Sequence, residues 1–266
     1  MANEEVILHT PILLRMRLDG RAALVTGAGQ GIGRGFALAL AQAGAGVAVV
    51  DLDHERAESV VAEIVDGGGD AMAVAADVTS EEDLRNAIDS TVGKFGHLDI
   101  AVNNAGINRN APAEDTTLAD WDLHQDLNLR AVFRSCQLEA AAMFPRGYGK
   151  IINTASMASL IVPHPQKQVA YNVAKAGVVA LTRTLAAEWA DRGIRVNCIS
   201  PGIIRTALIE NSEALRPLVN QWLENIPAGR LGEVSDLQGA IVFMAGSTSD
   251  YMTGHNMVLE GGQTLW

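Results

Sequence analysis

Residues 22–33 read AALVTGAGQGIG, an apolar run that leads into a glycine-rich turn. The run has no polar alternation, which is typical of a strand buried on both faces of a sheet. An Ala- and Leu-rich stretch follows to about residue 42 and predicts a helix. A strand, a glycine turn and a helix in this order form the first unit of a parallel α/β sheet.

The same alternation continues along the chain. Neither a linker nor an internal repeat suggests a second domain. We therefore predict an α/β fold in which residues 18–266 form a single doubly wound domain, a seven-stranded parallel sheet with helices on both faces. Residues 1–17 are predicted to be an N-terminal arm, with a frayed tail as the alternative. The further predicted strands are residues 46–51, 71–76, 98–102, 150–154, 194–199 and 256–260, and the predicted helices are 54–65, 80–94, 118–143, 169–190 and 234–246.

Composition excludes several classes of function. The chain carries 20 Lys and Arg against 31 Asp and Glu, a formal charge of −11, which disfavours binding to nucleic acid or an anionic membrane. Its two cysteines cannot form a disulfide framework, and no Cys/His pair has zinc spacing, so no metal site is predicted. The acidic start does not resemble a secretory signal, and no apolar run is long enough to span a membrane. We expect a cytoplasmic protein.

The glycine turn predicts a site for a dinucleotide pyrophosphate. The strict G-x-G-x-x-G pattern is not met in either possible frame. Gly29-x-Gly31 requires a third glycine where the chain has Arg34, and Gly27-x-Gly29 requires one where it has Ile32. The physical requirements are nevertheless present: glycines permit a tight turn, and the turn leads into a helix N-terminus with unpaired N–H groups. The alternative is a plain glycine-rich turn between a strand and a helix.

Asp51 favours NAD as the cofactor. It ends the second predicted strand, 18 residues beyond Gly33, where a carboxylate can accept both hydroxyls of an adenosine ribose and repel a 2′-phosphate. Alternatively, Asp51 begins a turn or caps the helix after Asp53. No Arg or Lys occupies the glycine turn, since Arg34 belongs to the helix that follows. Asp77 and Val78, after the third strand, are candidates to hold the adenine.

Tyr171 and Lys175 lie four residues apart in a predicted helix, on one face and one turn apart. A nearby ammonium favours phenolate, so we expect Lys175 to lower the pKa of Tyr171. Ser156 can supply a hydroxyl to a substrate oxygen, with Ser159 as the competing candidate. Asn128 lies in an apolar helical stretch, either as a satisfied core amide or as a side chain that holds a water.

These residues together resemble the short-chain dehydrogenase/reductase family, over about residues 18–262. The motifs stand in the family's order: Thr26-Gly27-x-x-x-Gly31-Ile32-Gly33, Asp77-Val78, Asn103-Asn104-Ala105-Gly106, Asn128, Ser156, Tyr171-x-x-x-Lys175 and Pro201-Gly202. The resemblance implies a Rossmann-type sheet and a catalytic tetrad of Asn128, Ser156, Tyr171 and Lys175. With the residues above, the candidate cofactor-binding set is Gly27, Gln30, Gly31, Ile32, Gly33, Asp51, Asp77, Val78, Asn104, Ala105, Gly106, Tyr171, Lys175, Pro201, Gly202, Ile204 and Thr206.

The resemblance also implies a mechanism. Tyr171 as phenolate removes the hydroxyl proton of an alcohol while hydride leaves the same carbon for NAD⁺. Ser156 orients the alcohol. Lys175 lowers the pKa of Tyr171 and binds the nicotinamide ribose, and Asn128 holds a water that links Lys175 to solvent. Run in reverse, the same groups reduce a ketone.

The segment before Tyr171 is about two residues longer than in most relatives, and with the C-terminal sequence it resembles the family's polyol and ketose enzymes. The residues expected to contact the substrate are Asn108, Ser156, Met157 and His164. The alternative is that the loop before Tyr171 only covers the site. By resemblance, residues 203–226 are a substrate lid.

Helix 174–190 is apolar on both sides, which predicts a partner surface and, by resemblance, a homotetramer. The leading hypothesis is an NAD-dependent dehydrogenase acting on a polyol or another small secondary alcohol. The alternatives are an NADPH-dependent 3-ketoacyl-type reductase and a non-catalytic dinucleotide-binding scaffold or sensor.

Overall fold

The sheet contains seven parallel strands in the order β3-β2-β1-β4-β5-β6-β7. A computed structural model describes residues 9–210 and 215–265 of the chain. All six strand pairs are parallel, so the carboxyl ends of the strands lie along one edge of the sheet. The predicted α/β fold with one doubly wound, Rossmann-type domain is confirmed. The strands are β1 (Ala22–Thr26), β2 (Gly46–Asp51), β3 (Ala71–Ala75), β4 (Ile100–Asn103), β5 (Gly149–Thr154), β6 (Ile194–Pro201) and β7 (Asn256–Leu259).

Helices cover both faces of this sheet. The helices in the described residues are α1 (Ile12–Arg15), α2 (Gly31–Gln42), α3 (His54–Asp66), α4 (Glu81–Phe95), α5 (Leu118–Gln125), α6 (Ala131–Met143), α7 (Val169–Trp189), α8 (Ala207–Glu210), α9 (Val219–Asn225) and α10 (Val234–Ala245). None of them is long and apolar enough to cross a membrane. Alternate strand residues divide between two cores: Leu24 packs with α4, α6 and α7, whereas Ala23 and Val25 pack with α2, α3 and α10.

The strand order places a crevice between the ends of β1 and β4. Strand β1 pairs with β2 on one side and with β4 on the other, so the chain runs outward in opposite directions from this point. Connections on the two sides of such a switch point leave the sheet toward opposite faces, which opens a space for a ligand at the carboxyl ends of the strands. The predicted functional residues converge there.

Two predicted boundaries differ from the structure in a way that matters for the site. The stretch 118–143 is not one α-helix, because a π-helical turn over Asp126–Arg130 separates α5 from α6. Such wide turns are found mostly at functional sites, and this one carries the buried Asn128. Strand β4 begins at Ile100, two residues later than predicted. Of the predicted N-terminal arm, residues 1–8 lie outside the described residues, as do residues 211–214 of the predicted lid.

A buried carboxyl group lies beneath the carboxyl ends of β4 and β5. Glu139 of α6 is 1% exposed, and Asn103 Nδ2 donates to its Oε2 at 3.0 Å and to Asn153 Oδ1 at 3.0 Å. Burial raises the pKa of Glu139 to about 8. The thiol of Cys136 faces the same cluster, and burial together with the charge of Glu139 raises its pKa as well. Glu139 is thus held as a neutral acid at neutral pH.

We predict that this group makes stability fall with rising pH. An unfolded glutamate loses its proton near its ordinary pKa of 4.5, whereas the folded group keeps it up to about pH 8. The contribution is therefore complete below pH 4.5 and is lost as the pH rises through about 8. Glu139→Gln should gain stability relative to the parent between pH 5 and pH 8.5, measured by urea unfolding. The exposed Glu114→Gln serves as control, and an equal pH slope in both variants would contradict the prediction.

Candidate active site

Two side chains fasten the glycine turn to the end of β4. Thr26 Oγ1 accepts hydrogen bonds from the backbone N–H groups of Asn104 and Ala105 at 3.1 and 3.2 Å. In return, Asn104 Nδ2 donates to the carbonyl oxygens of Thr26 and Gly27 at 3.2 and 3.1 Å. The structure therefore brings together the two segments that sequence predicts for the cofactor, residues 27–33 and 104–106.

The predicted phosphate-binding residues form the turn and the first turn of α2. Gln30 is the residue before α2. Among the described residues, no side chain caps the N-terminus of α2 with a hydrogen bond. A Cβ atom on Gly29 would lie 2.7 Å from Arg56 Cβ and 2.9 Å from Asp51 Cγ, so only glycine fits this approach. Free N–H groups at a helix start and a side-chain-free turn fit a pyrophosphate group.

Asp51 lies against the glycine turn and also begins a turn at the end of β2, which is one of the two alternatives to the ribose role. Its Oδ2 accepts from the Gly29 N–H at 2.8 Å, and its Oδ1 accepts from the Asp53 N–H at 3.1 Å. The N-cap of α3 is Asp53, whose side chain accepts from the Arg56 N–H, so Asp51 does not serve as the helix cap. Its carboxylate is left beside the turn, partly exposed.

Arg56 is a residue at this turn that the sequence interpretation missed. Its stem packs against Gly29, and its Nε lies 3.1 Å from Asp53 Oδ2. The available signal was its position in the first turn of the helix after β2, close in space to the acidic end of that strand. Arg34, by contrast, forms an ion pair with Glu63 on the neighbouring helix.

The remaining predicted cofactor residues lie along the same edge of the sheet. Asp77 follows β3 and accepts from the N–H and hydroxyl of Thr79, and the neighbouring Val78 is buried. Pro201 ends β6, and the Gly202 N–H donates to the Leu259 carbonyl at 2.8 Å. The segment then carries Ile204, buried, and Thr206, which faces Gly31 of the glycine turn.

Lys175 is the buried cation of the site. It is 4% exposed, and its Nζ donates to the Thr154 carbonyl oxygen at 2.6 Å. Helix α7 carries both Lys175 and Tyr171, and the Lys175 nitrogen lies 5.7 Å from the centre of the Tyr171 ring. Burial lowers the pKa of Lys175 to about 8. The ammonium and the phenol are thus on one face, as their spacing predicts.

Asn128 and Ser156 are placed by the backbone around them. Asn128 Oδ1 accepts from the Ile107 N–H, and its Nδ2 donates to the Ile107 carbonyl, both at 3.0 Å. Ser156 Oγ accepts from the Ala158 N–H at 3.1 Å, and the Ser156 side chain is close enough to Tyr171 to act on the pKa of the phenol. The competing Ser159 donates its hydroxyl proton to the Ser156 carbonyl at 2.7 Å. The contact with Tyr171 favours Ser156 over Ser159.

The pKa of Tyr171 departs from the sequence expectation. Burial raises it above its ordinary value of 10, with the hydrogen bond to Ser156 acting in the opposite direction. The expected lowering by Lys175 was wrong for the chain alone, because desolvation of the phenol dominates. At neutral pH the phenol is therefore protonated.

The substrate candidates are placed differently from one another. Met157 is buried and packs with Trp222 and Ile226 of the segment predicted as the lid. Asn108 is exposed, but its Nδ2 donates to Gln168 at 2.9 Å. His164 is exposed to solvent. The structure thus places Met157 in the wall of the site and His164 on its outside.

A family model described as Enoyl-(Acyl carrier protein) reductase matches residues 27–264. A D-threitol dehydrogenase from Mycolicibacterium smegmatis is 39% identical over 255 residues, which cover 94% of this chain and 95% of the relative. The chain belongs to the short-chain dehydrogenase/reductase family. This member of the family is an oxidoreductase, as the sequence predicts.

Other relatives and solved structures extend the comparison. A galactitol 2-dehydrogenase from Rhizobium johnstonii is 39% identical, with 95% of this chain and 98% of the relative covered. A 3-oxoacyl-(acyl-carrier-protein) reductase from Thermotoga maritima is 36% identical, with 94% and 100% covered. The crystal structure of a short-chain type dehydrogenase/reductase from Mycobacterium marinum has a TM-score of 0.92 and 41% identity, with 96% of this chain and 99% of that chain covered. A gluconate 5-dehydrogenase from Burkholderia cenocepacia J2315, solved in complex with NADP and tartrate, has a TM-score of 0.89 and 37% identity, with 96% and 100% covered.

Gly106 tests whether the spacing around Lys175 matters. A Cβ atom there would lie 2.5 Å from Asn128 Oδ1 and 3.7 Å from Lys175 Nζ. Gly106→Ala should displace Asn128 and lower kcat by about 10- to 100-fold without unfolding the protein. Gly93 of α4 is the matched control, because a Cβ there meets no atom within 4 Å. Steady-state kinetics that show equal activity for both variants would refute the role given to this spacing.

Proposed function

We propose that this member of the family oxidises a secondary alcohol to a ketone, or reduces the ketone, with a nicotinamide dinucleotide, and that its substrate is a polyol or sugar alcohol. The observation that carries the proposal is the meeting of Ser156, Tyr171 and Lys175 beside Gly106, in the segment that is hydrogen-bonded to the glycine turn. The names of the threitol and galactitol relatives support the substrate class.

The cofactor supplies the hydride acceptor or donor when bound, and the glycine turn, Asp51 and the segment 104–106 would hold it. Ser156 orients the substrate oxygen through its hydroxyl. The Tyr171 oxygen takes the hydroxyl proton during oxidation and returns it during reduction. Lys175 places a positive charge next to this proton transfer, and Asn128 fixes the Ile107 backbone and the π-helical turn behind it.

The protonation states favour different directions at different pH. Because burial raises the pKa of Tyr171, the phenol keeps its proton at neutral pH, and reduction needs this protonated state. Oxidation needs the phenolate and should therefore accelerate toward alkaline pH. Lys175 with a pKa of about 8 loses its own charge in that range, which limits the alkaline gain.

We propose NAD as the preferred cofactor, on the position of the Asp51 carboxylate at the turn. Related structures include one in complex with NADP, so family membership by itself does not select between the two cofactors. Arg56 opposes the preference, since a guanidinium released from Asp53 can pair with a 2′-phosphate.

The alternatives to this function are a 3-oxoacyl-type reductase and a non-catalytic scaffold. A 3-oxoacyl-type reduction uses the same tetrad and is represented among the relatives, whereas a non-catalytic scaffold would not need Tyr171 and Lys175 in contact range.

We also propose a homotetramer, for which Phe133 of α6 and Val173 of α7 offer exposed apolar side chains. The lid role of residues 203–226 stays a prediction.

Removal of the phenol oxygen tests the proposed reaction. Tyr171→Phe should lower turnover by at least about 100-fold, because it removes the oxygen that is proposed to move the proton, while the glycine turn and Asp51 still bind the dinucleotide. NADH formation with D-threitol, galactitol and cyclohexanol measures the rate, and NADH fluorescence measures binding. Full turnover in this variant would remove Tyr171 from the mechanism, and oxidation of NADPH by a 3-ketoacyl thioester without any alcohol turnover would favour the alternative.

Replacement of Asp51 tests the cofactor preference. Asp51→Ala removes the charge that repels a 2′-phosphate and leaves Arg56, so kcat/KM with NADP⁺ relative to NAD⁺ should rise at least about tenfold. Arg56→Ala should lower the same ratio. Asp66→Ala, at the exposed end of α3, is the control. A parent protein that prefers NADP⁺, or a ratio unmoved by Asp51→Ala, would contradict the assignment.

A further inference from the structure

Three amide side chains form a hydrogen-bonded chain beside the candidate site, and the mechanism above does not use them. Asn108 Nδ2 donates to Gln168 Oε1 at 2.9 Å, and Gln168 Nε2 donates to Asn172 Oδ1 at 2.8 Å. Gln168 is only 6% exposed, with both ends of its amide occupied. We call Asn108, Gln168 and Asn172 the amide chain.

The amide chain joins the two segments that carry the proton-transfer groups. Asn108 directly follows Ile107, whose backbone is held by Asn128 on both its N–H and its carbonyl. Asn172 directly follows Tyr171 in α7. A side chain at either end of the amide chain is therefore one residue away from a group fixed in the site.

The direction of the hydrogen bonds determines what the ends can bind. Three amides joined head to tail leave an unused acceptor at one end and an unused donor at the other. Within residues 9–210 and 215–265, no hydrogen bond occupies Asn108 Oδ1 or Asn172 Nδ2. A hydroxyl group can pair with either end because it both donates and accepts, whereas a methylene group can pair with neither.

The amide chain itself carries no charge. The Arg109 guanidinium, next to Asn108, is paired with Asp120 at 3.0 Å. Lys167, next to Gln168, is exposed to solvent. The three amides themselves are neutral at every accessible pH, so they offer hydrogen bonds without a counter-charge for a carboxylate or phosphate.

We propose that Gln168 is a positioning residue that holds Asn108 and Asn172 as a pair of hydrogen-bonding groups for a substrate hydroxyl beyond the reacting carbon. The inference rests on the proposed oxidation of a secondary alcohol. It adds that the substrate carries a further hydroxyl group beyond the reacting carbon. It makes the site selective for polyhydroxylated alcohols over alcohols with a single hydroxyl group.

The backbone around Gln168 allows its side chain to be tested alone. The Ala111 N–H donates to the Lys167 carbonyl at 2.8 Å and ties the same two loops without any side chain. Gln168→Leu keeps a similar volume and removes both amide hydrogen bonds, so it frees Asn108 and Asn172 while this backbone tie stays. Gln42→Leu, an exposed glutamine at the end of α2, is the matched control.

The experiment compares galactitol and D-threitol with cyclohexanol as probes, using NAD⁺ and NADP⁺. Gln168→Leu should raise KM for the two polyols and lower their kcat/KM at least about tenfold, with a change below about threefold for cyclohexanol. Asn108→Ala should show the same split, and adding Gln168→Leu to it should cause little further loss if Gln168 acts through Asn108. Asn108 is exposed, so this variant carries the test even if Gln168→Leu folds poorly.

The outcomes separate the inference from the function it rests on. An equal loss for polyols and cyclohexanol in both variants would show a structural role only and overturn the inference. A parent protein that oxidises cyclohexanol but neither polyol would also overturn it while leaving the oxidoreductase function intact. A parent protein that oxidises no probe with either cofactor would overturn the proposed function itself, before any variant is measured.

Discussion

Lys175 carries an ammonium group that the fold keeps out of water, and the site is arranged around its burial. A buried cation is tolerated only where polar groups replace the lost solvent, and here the Thr154 carbonyl does so at 2.6 Å. This contact requires that the end of β5 and the face of α7 stay in fixed register. The pKa of Lys175 is nevertheless lowered to about 8, so this contact offsets only part of the cost of moving the ammonium out of water. Tyr171 and Asn128 then have defined positions, since both lie on elements packed against this pair.

The parallel sheet explains why so much of the site could be predicted from sequence. Strand ends in a parallel sheet meet at one edge, so Thr26, Asn104 and Thr154 come together although they are far apart in the chain. The strands are local patterns, and the parallel sheet that they predict is confirmed. The glycine turn lies between β1 and α2, and Tyr171 and Lys175 share one face of α7, but their roles stay predictions.

The features that escaped prediction depend on distances between segments. The position of Arg56 in the first turn of α3 is readable from sequence, but its contact with Gly29 depends on how α3 packs against the glycine turn. The direction of the Tyr171 pKa shift depends on the balance between burial, which raises the pKa, and the Ser156 side chain, which lowers it. The π-helical turn at Asn128 likewise follows from a partner 21 residues earlier in the chain, the Ile107 backbone.

The groups proposed to determine the reaction rate differ in chemistry from those proposed to determine selectivity among substrates. Lys175 titrates near the working range of pH, whereas Tyr171 keeps its proton through neutral pH, so together they determine how the rates of oxidation and reduction respond to pH. The amide side chains of Asn108, Gln168 and Asn172 do not titrate, and their hydrogen bonds persist across that range. A site built in this way can change its favoured direction with pH and keep the same preference among substrates. That separation follows because the same short stretch of α7 carries a titratable phenol and, one residue later, a neutral amide.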